Sequence, residues 1–116
     1  MTPHKKIFEV LGGLADGRVF PGIADLGTPT PYVTFRVISA PQINFVTGEK
    51  PAKRFVRVQV NVWARTSVEA FEVAMQAEDA IRSAADLQPE VLSGAVDTYD
   101  DVVKCRGAMQ DFQMFI

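Results

Sequence analysis

RFVRVQVNVWA, residues 54–64, runs at once into RTSVEAFEVAMQAEDA, residues 65–80, and this junction decides the fold. Side chains alternate across a strand, so Val56, Val58, Val60 and Val62 share one face and Phe55, Arg57, Gln59, Asn61 and Trp63 share the other. The valine face is built for a core. The second face mixes polar groups with an aromatic at each end, a composition suited to a wet protein contact. In the following segment Thr66 is placed to cap a helix, with Glu69 three residues on to close a capping box. Glu69, Glu72, Gln76, Asp79, Ser83 and Asp86 then recur at helical spacing as a polar stripe, opposite Ala70, Val73, Ala74, Ala77, Ile81 and Ala84. Alanines let the helix axis lie close to the valine-covered sheet, and Phe71 and Met75 are expected to broaden the buried side.

The rest of the chain supplies the remaining elements. Thr2 and Pro3 suit the first positions of a helix whose apolar stripe is Ile7, Phe8, Leu11, Leu14 and Ala15, ending near Gly17. Residues 17–31 hold three glycines and three prolines, which predicts a short strand at 18–20 and then a turn-rich loop. Residues 32–38 alternate as a strand with Val33, Phe35 and Val37 on one face. A connection at 42–53 follows, an extended hairpin or a loop, and its length and the apolar Ile43, Phe45 and Val46 mark it as a binding arm. After the long helix, 91–99 predicts a strand centred on 95–99, Asp100 and Asp101 a turn, and 104–116 a last strand. That strand places Ala108, Gln110, Phe112, Met114 and Ile116 on one face and Met109, Asp111, Gln113 and Phe115 on the other. Ending on FQMFI, it is expected to lie within the sheet or against a neighbouring subunit. The fold class is therefore α+β, a mainly antiparallel β-sheet with two α-helices packed on one face, in a single domain spanning 1–116.

Composition narrows the function. The 116 residues carry 12 Lys and Arg against 14 Asp and Glu, so no basic excess argues for nucleic-acid binding. A local cluster of Lys50, Lys53, Arg54 and Arg57 reads first as a solvated strand edge. One cysteine forms no internal disulfide, no apolar run approaches a membrane span, and the N-terminal segment lacks a secretory pattern. Synthesis in a reducing cytosol is expected. The only histidine, His4, has no catalytic partner within view, and Cys105 reads as a small buried thiol. Asp97, Asp100 and Asp101 lack the glycine and terminal glutamate of a calcium loop and read as a solvated turn; one cysteine and one histidine do not make a zinc site. No catalytic, cofactor or metal site is expected.

The segments GRVFPGIADLGTPTPYVTFRVIS and RVQVNVWARTSVEAFEVAMQAEDAIRSA, then Asp97 and Tyr99 in an Asp-x-Tyr element and a final strand, resemble the small tail-completion, or tail terminator, proteins of long-tailed bacteriophages and prophages. The resemblance runs from about Arg18 to Ile116, with Phe20 standing where the family commonly has tyrosine. It implies a subunit of a homo-oligomeric ring, usually a hexamer. Such a ring caps the tail tube made of major tail protein, ends its polymerisation and meets the head-tail connector proteins. It lies at the head-proximal end of the virion tail, and DNA passes through without being read. Under that implication Ile43, Phe45, Val46, Lys50, Lys53, Arg54, Phe55, Arg57, Gln59, Asn61, Trp63 and Phe115 are the expected interface residues, and Arg36 and Arg57 could face the channel. The alternative is a stand-alone α+β ligand-binding or regulatory module that dimerises through its sheet.

Overall fold

In the computed structural model, residues 2–38, 45–49, 52–102 and 104–116 are described. The element order is α1 (Pro3–Leu11), β1 (Val19–Pro21), β2 (Tyr32–Ile38), β3 (Phe55–Ala64), α2 (Ser67–Ser83), β4 (Glu90–Val91), β5 (Val96–Asp100) and β6 (Cys105–Phe115), with short 3-10 turns at Leu14–Gly17 and Ala85–Leu87. The strands form one six-stranded sheet in the order β1-β2-β3-β6, with β4 and β5 sharing the far side of β6. All pairings are antiparallel except β1 with β2. This is the expected α+β architecture.

The spine of the sheet is β3 against β6, paired from Phe55 opposite Phe115 to Ala64 opposite Arg106. Backbone hydrogen bonds of 2.8 and 2.9 Å between Arg54 and Ile116 extend the ladder to the last residue. The C-terminal strand is thus interior, and its even-numbered side chains from Ala108 to Met114 are buried against α2 as the alternation predicts. Helix α2 starts where its cap was expected: the Thr66 hydroxyl accepts from the Glu69 amide at 3.1 Å. Ala70, Val73, Ala74, Ala77 and Ile81 are its buried residues, lying on the valines of β3 and on β6. Helix α1 packs beside α2 and adds Ile7 and Leu11 to a core that also holds Phe35, Phe112 and Met114.

Three expectations change. Met75 is 65% exposed, because it falls outside the narrow alanine stripe; Phe71 alone broadens the buried side. Phe8 is 46% exposed for the same reason on α1. That helix also stops at Leu11, well short of Gly17: two successive glycines follow it, and Ala15 and Asp16 then take left-handed φ angles of 50° and 55° to turn the chain into β1. The strand expected within 91–99 and centred on 95–99 is β5; the short β4 precedes it, and the two are separated where the Ser93 hydroxyl accepts from the Asp111 amide at 3.1 Å in place of a ladder partner.

One buried polar group sits beneath α2. Gln110 donates through Nε2 to Glu78 Oε1 at 2.6 Å and to the Ser93 carbonyl at 3.0 Å, and Arg82 donates to the other Glu78 oxygen at 3.0 Å. The hydrogen bond from Gln110, then that from Arg82, hold the Glu78 carboxyl below the usual carboxylate range.

Candidate assembly surface

Both helices lie on one face of the sheet, leaving the other without a helical layer. Register decides what that face presents. Thr34 stands opposite Asn61, Arg36 opposite Gln59, Gln59 opposite Asp111, and Trp63 between Tyr32 and Gly107. Of the expected residues, Arg36, Arg57, Gln59, Asn61 and Trp63 are therefore brought onto one surface, with Phe55 and Phe115 at its edge nearest the arm.

The surface is internally organised. Arg57 reaches diagonally to Asp111 at 2.7 Å, so its charge is largely spent within the chain. Asn61 donates to Gln59 at 3.3 Å, and the Phe55 and Phe115 rings meet at 4.9 Å between centroids. Arg36 is exposed and has no ion pair among the described residues. Trp63 lies across Gly107: a Cβ there would stand 2.9 Å from both Cε3 and Cζ3 of the indole and closer still to Thr98 Oγ1. Gly107 is small because the ring needs its floor.

The loop at 22–30, between β1 and β2, walls one side of this surface and the β5–β6 turn another, making an open groove of about 1050 Å³. Tyr32, Arg36, Asn61, Trp63, Arg65 and Asp100 are among its lining residues. Burial, then the nearby Cys105 and Asp100, raise the pKa of the Tyr32 phenol, so it presents a neutral hydroxyl. The groove charges nearly balance, with Arg36, Arg65 and Lys104 against Asp25 and Asp100. Lys104 is already held by Asp101 at 3.1 Å. The three aspartates of DTYDD do not converge: Asp97 and Asp100 lie on opposite faces of β5, opposite Ala108 and Cys105 respectively.

The arm residues are separate from the sheet face. Phe45 and Val46 are exposed and Gly48 closes a turn onto the Phe45 carbonyl at 3.0 Å; between Ile38 and Phe55 no described residue is in a strand. At the arm base, Lys53 approaches the Asp86 carbonyl at 3.4 Å and the Phe115 ring at 5.9 Å, while Arg54 is occupied through its backbone by Ile116. Ile43 and Lys50 lie outside the described residues. Of the basic cluster's described members, Arg57 faces Asp111 and Lys53 faces the helix end.

Sequence reasoning missed two contributors. Asp111 was placed on the right face without its partner, because a diagonal ion pair depends on register that periodicity does not supply. The 22–30 loop reads in the sequence as turns, and Ile23 and Leu26, isolated apolar residues among glycines and prolines, are the signal that it does more.

Compared with known protein families, residues 3–116 match the family described as Tail completion protein gp17. The chain belongs to this family. It is a structural component of the bacteriophage tail, as the resemblance implied. No curated protein sequence matches it significantly. Membership of this family implies interaction with other tail and head-tail proteins.

Proposed function

We propose that the chain is the subunit of a ring, six-membered by analogy with tail terminators, that caps the finished tail tube, ends its polymerisation and offers its outer side to the head-tail connector. The observation that carries this reading is the helix-free sheet face, a mosaic of Arg36, Gln59, Asn61, Trp63 and the Arg57–Asp111 pair, in a chain of the tail-completion family. Such a face is too polar for a core and too ordered for idle surface. The sheet's edges favour side-chain contacts over strand addition: β1 has three residues and ends in Pro21, and the other edge is broken into β4 and β5. The interface comprises Phe45, Val46, Lys53, Arg54, Phe55, Trp63 and Phe115, with Arg36 and Arg57 nearest the channel. An overall charge of −2 leaves DNA free to slide through.

Mass measurement in solution, alone and with tail-tube protein, tests this. Rings, or a monomer driven into rings by the tube, are the expected result; a stable dimer indifferent to the tube overturns it in favour of a sheet-paired module. Deleting Phe45–Glu49 should leave a folded monomer that no longer yields terminated tails, and normal tails from that variant would remove the arm from the interface.

A further inference from the structure

Among the described residues, four large aliphatic side chains are more than four-fifths exposed, and they fall in two places. Val46 stands fully exposed on the arm; Ile23, Leu26 and Val102, at 84, 86 and 87%, rim the groove over the sheet face. Exposed apolar groups gathered in this way mark a surface that is covered in use. The arm tip, Phe45 to Glu49, carries a single charge, the carboxylate of Glu49. The groove holds two cations, Arg36 and Arg65, that have no ion pair among the described residues. Asp25 and Asp100 line the groove too, so the match is local: apolar tip to apolar rim, and the Glu49 carboxylate to one arginine.

The groove runs along β2 and β3 from Arg36 and Gln59 to Tyr32, Trp63 and Arg65, and none of Phe45 to Glu49 is among the residues that line it, so a chain's arm tip does not fill its own groove. A donor and an acceptor that are different surfaces of the chain make a heterologous contact, the kind that repeats head to tail and closes into a ring, and not a two-fold one.

We propose that the arm tip of each subunit, Phe45 and Val46 with Glu49, seats in the groove of the next copy of this chain, between the 22–30 loop and Val102, with Glu49 facing Arg65. The apolar tip covers Ile23, Leu26 and Val102, and Trp63 on its Gly107 floor forms the base. This contact rests on the reading of the chain as a ring-forming subunit and names the two surfaces that join.

Disulfide trapping tests it. The variants Val46→Cys and Leu26→Cys, mixed in equal amounts at high concentration or in rings formed with tail-tube protein, are oxidised and the linked peptides mapped. The native Cys105 is retained, because mapping separates links through it. A 26–46 link several-fold more abundant than 26–26 or 46–46 is expected, and the double variant should give a ladder of covalent oligomers. Rings whose links are 46–46, or that lack the 26–46 link, overturn this contact and leave the ring reading standing. A protein with no assembled form under either condition overturns both.

Discussion

Replacing Gly107 by alanine is the sharpest test of how the groove floor is built. The added methyl would stand 2.9 Å from two carbons of the Trp63 ring and still closer to Thr98 Oγ1, a buried hydroxyl with no hydrogen-bond partner among the described residues. Overpacking of this kind costs about 1–3 kcal/mol. Alanine in a strand recovers about 0.5–1 kcal/mol through backbone entropy, so a net loss of about 0.5–2 kcal/mol is expected. For a domain of this size that lowers Tm by roughly 2–10 °C. Trp63 is the only tryptophan, so its fluorescence reports the floor directly while thermal unfolding reads the cost. The emission should shift as the ring is pushed toward solvent, and Thr98→Ala in the same chain should recover part of the loss, since it removes the nearer obstacle. A Gly107→Ala protein as stable as the parent, with unchanged emission, would refute the account of why this position is glycine.

Phe112→Ala, at a fully buried core position of β6, should cost about 3–5 kcal/mol in denaturant unfolding with little change in fold. Glu78 has a lowered folded pKa, so its contribution is present above the ordinary carboxylate range and lost as pH falls through the folded value; the parent should lose stability on acidification, and Glu78→Gln should flatten that dependence in pH-resolved melts. Arg57→Ala leaves the Asp111 carboxylate, whose side chain is only 17% exposed, without its cation, and should cost about 1–3 kcal/mol, more than the near-zero cost of Arg82→Ala at the exposed helix pair.

Much of this was legible because β3 and β6 from Ala108 onward carry two-residue periodicity. Valines at four alternate positions of β3 and the even-numbered run in β6 could only face one core, and the Thr66 cap located the helix to a residue. What periodicity did not reach were relations across strands. Thr34 and Gln110 are polar residues that register and packing bury, Gln110 because Glu78 and Ser93 satisfy it. Met75 and Phe8 looked interior by hydrophobicity, yet helix angle leaves them outside. The parallel pairing of β1 with β2 follows from a long glycine- and proline-rich return that no local rule assigns to one sheet edge. At the candidate surface the same division holds: β3 announced Arg57, Gln59, Asn61 and Trp63, whereas the groove required the 22–30 loop to be brought over them in three dimensions.

The two kinds of surface have different physical demands, and the fold separates them. The centre of the open face is held by contacts within the chain: Arg57 to Asp111, Asn61 to Gln59, Trp63 on Gly107. Such residues are already fixed in place, so little side-chain entropy is lost when a partner arrives. The arm and the groove rim instead expose aliphatic groups, and covering them requires a neighbour. A preorganised polar face gives a contact its register, and exposed apolar ends give it driving force. On that reasoning, substituting Arg57 or Asp111 should disturb the alignment of assembled subunits more than their affinity, while Val46→Asp or Leu26→Asp should weaken association itself and leave the monomer's melt unchanged.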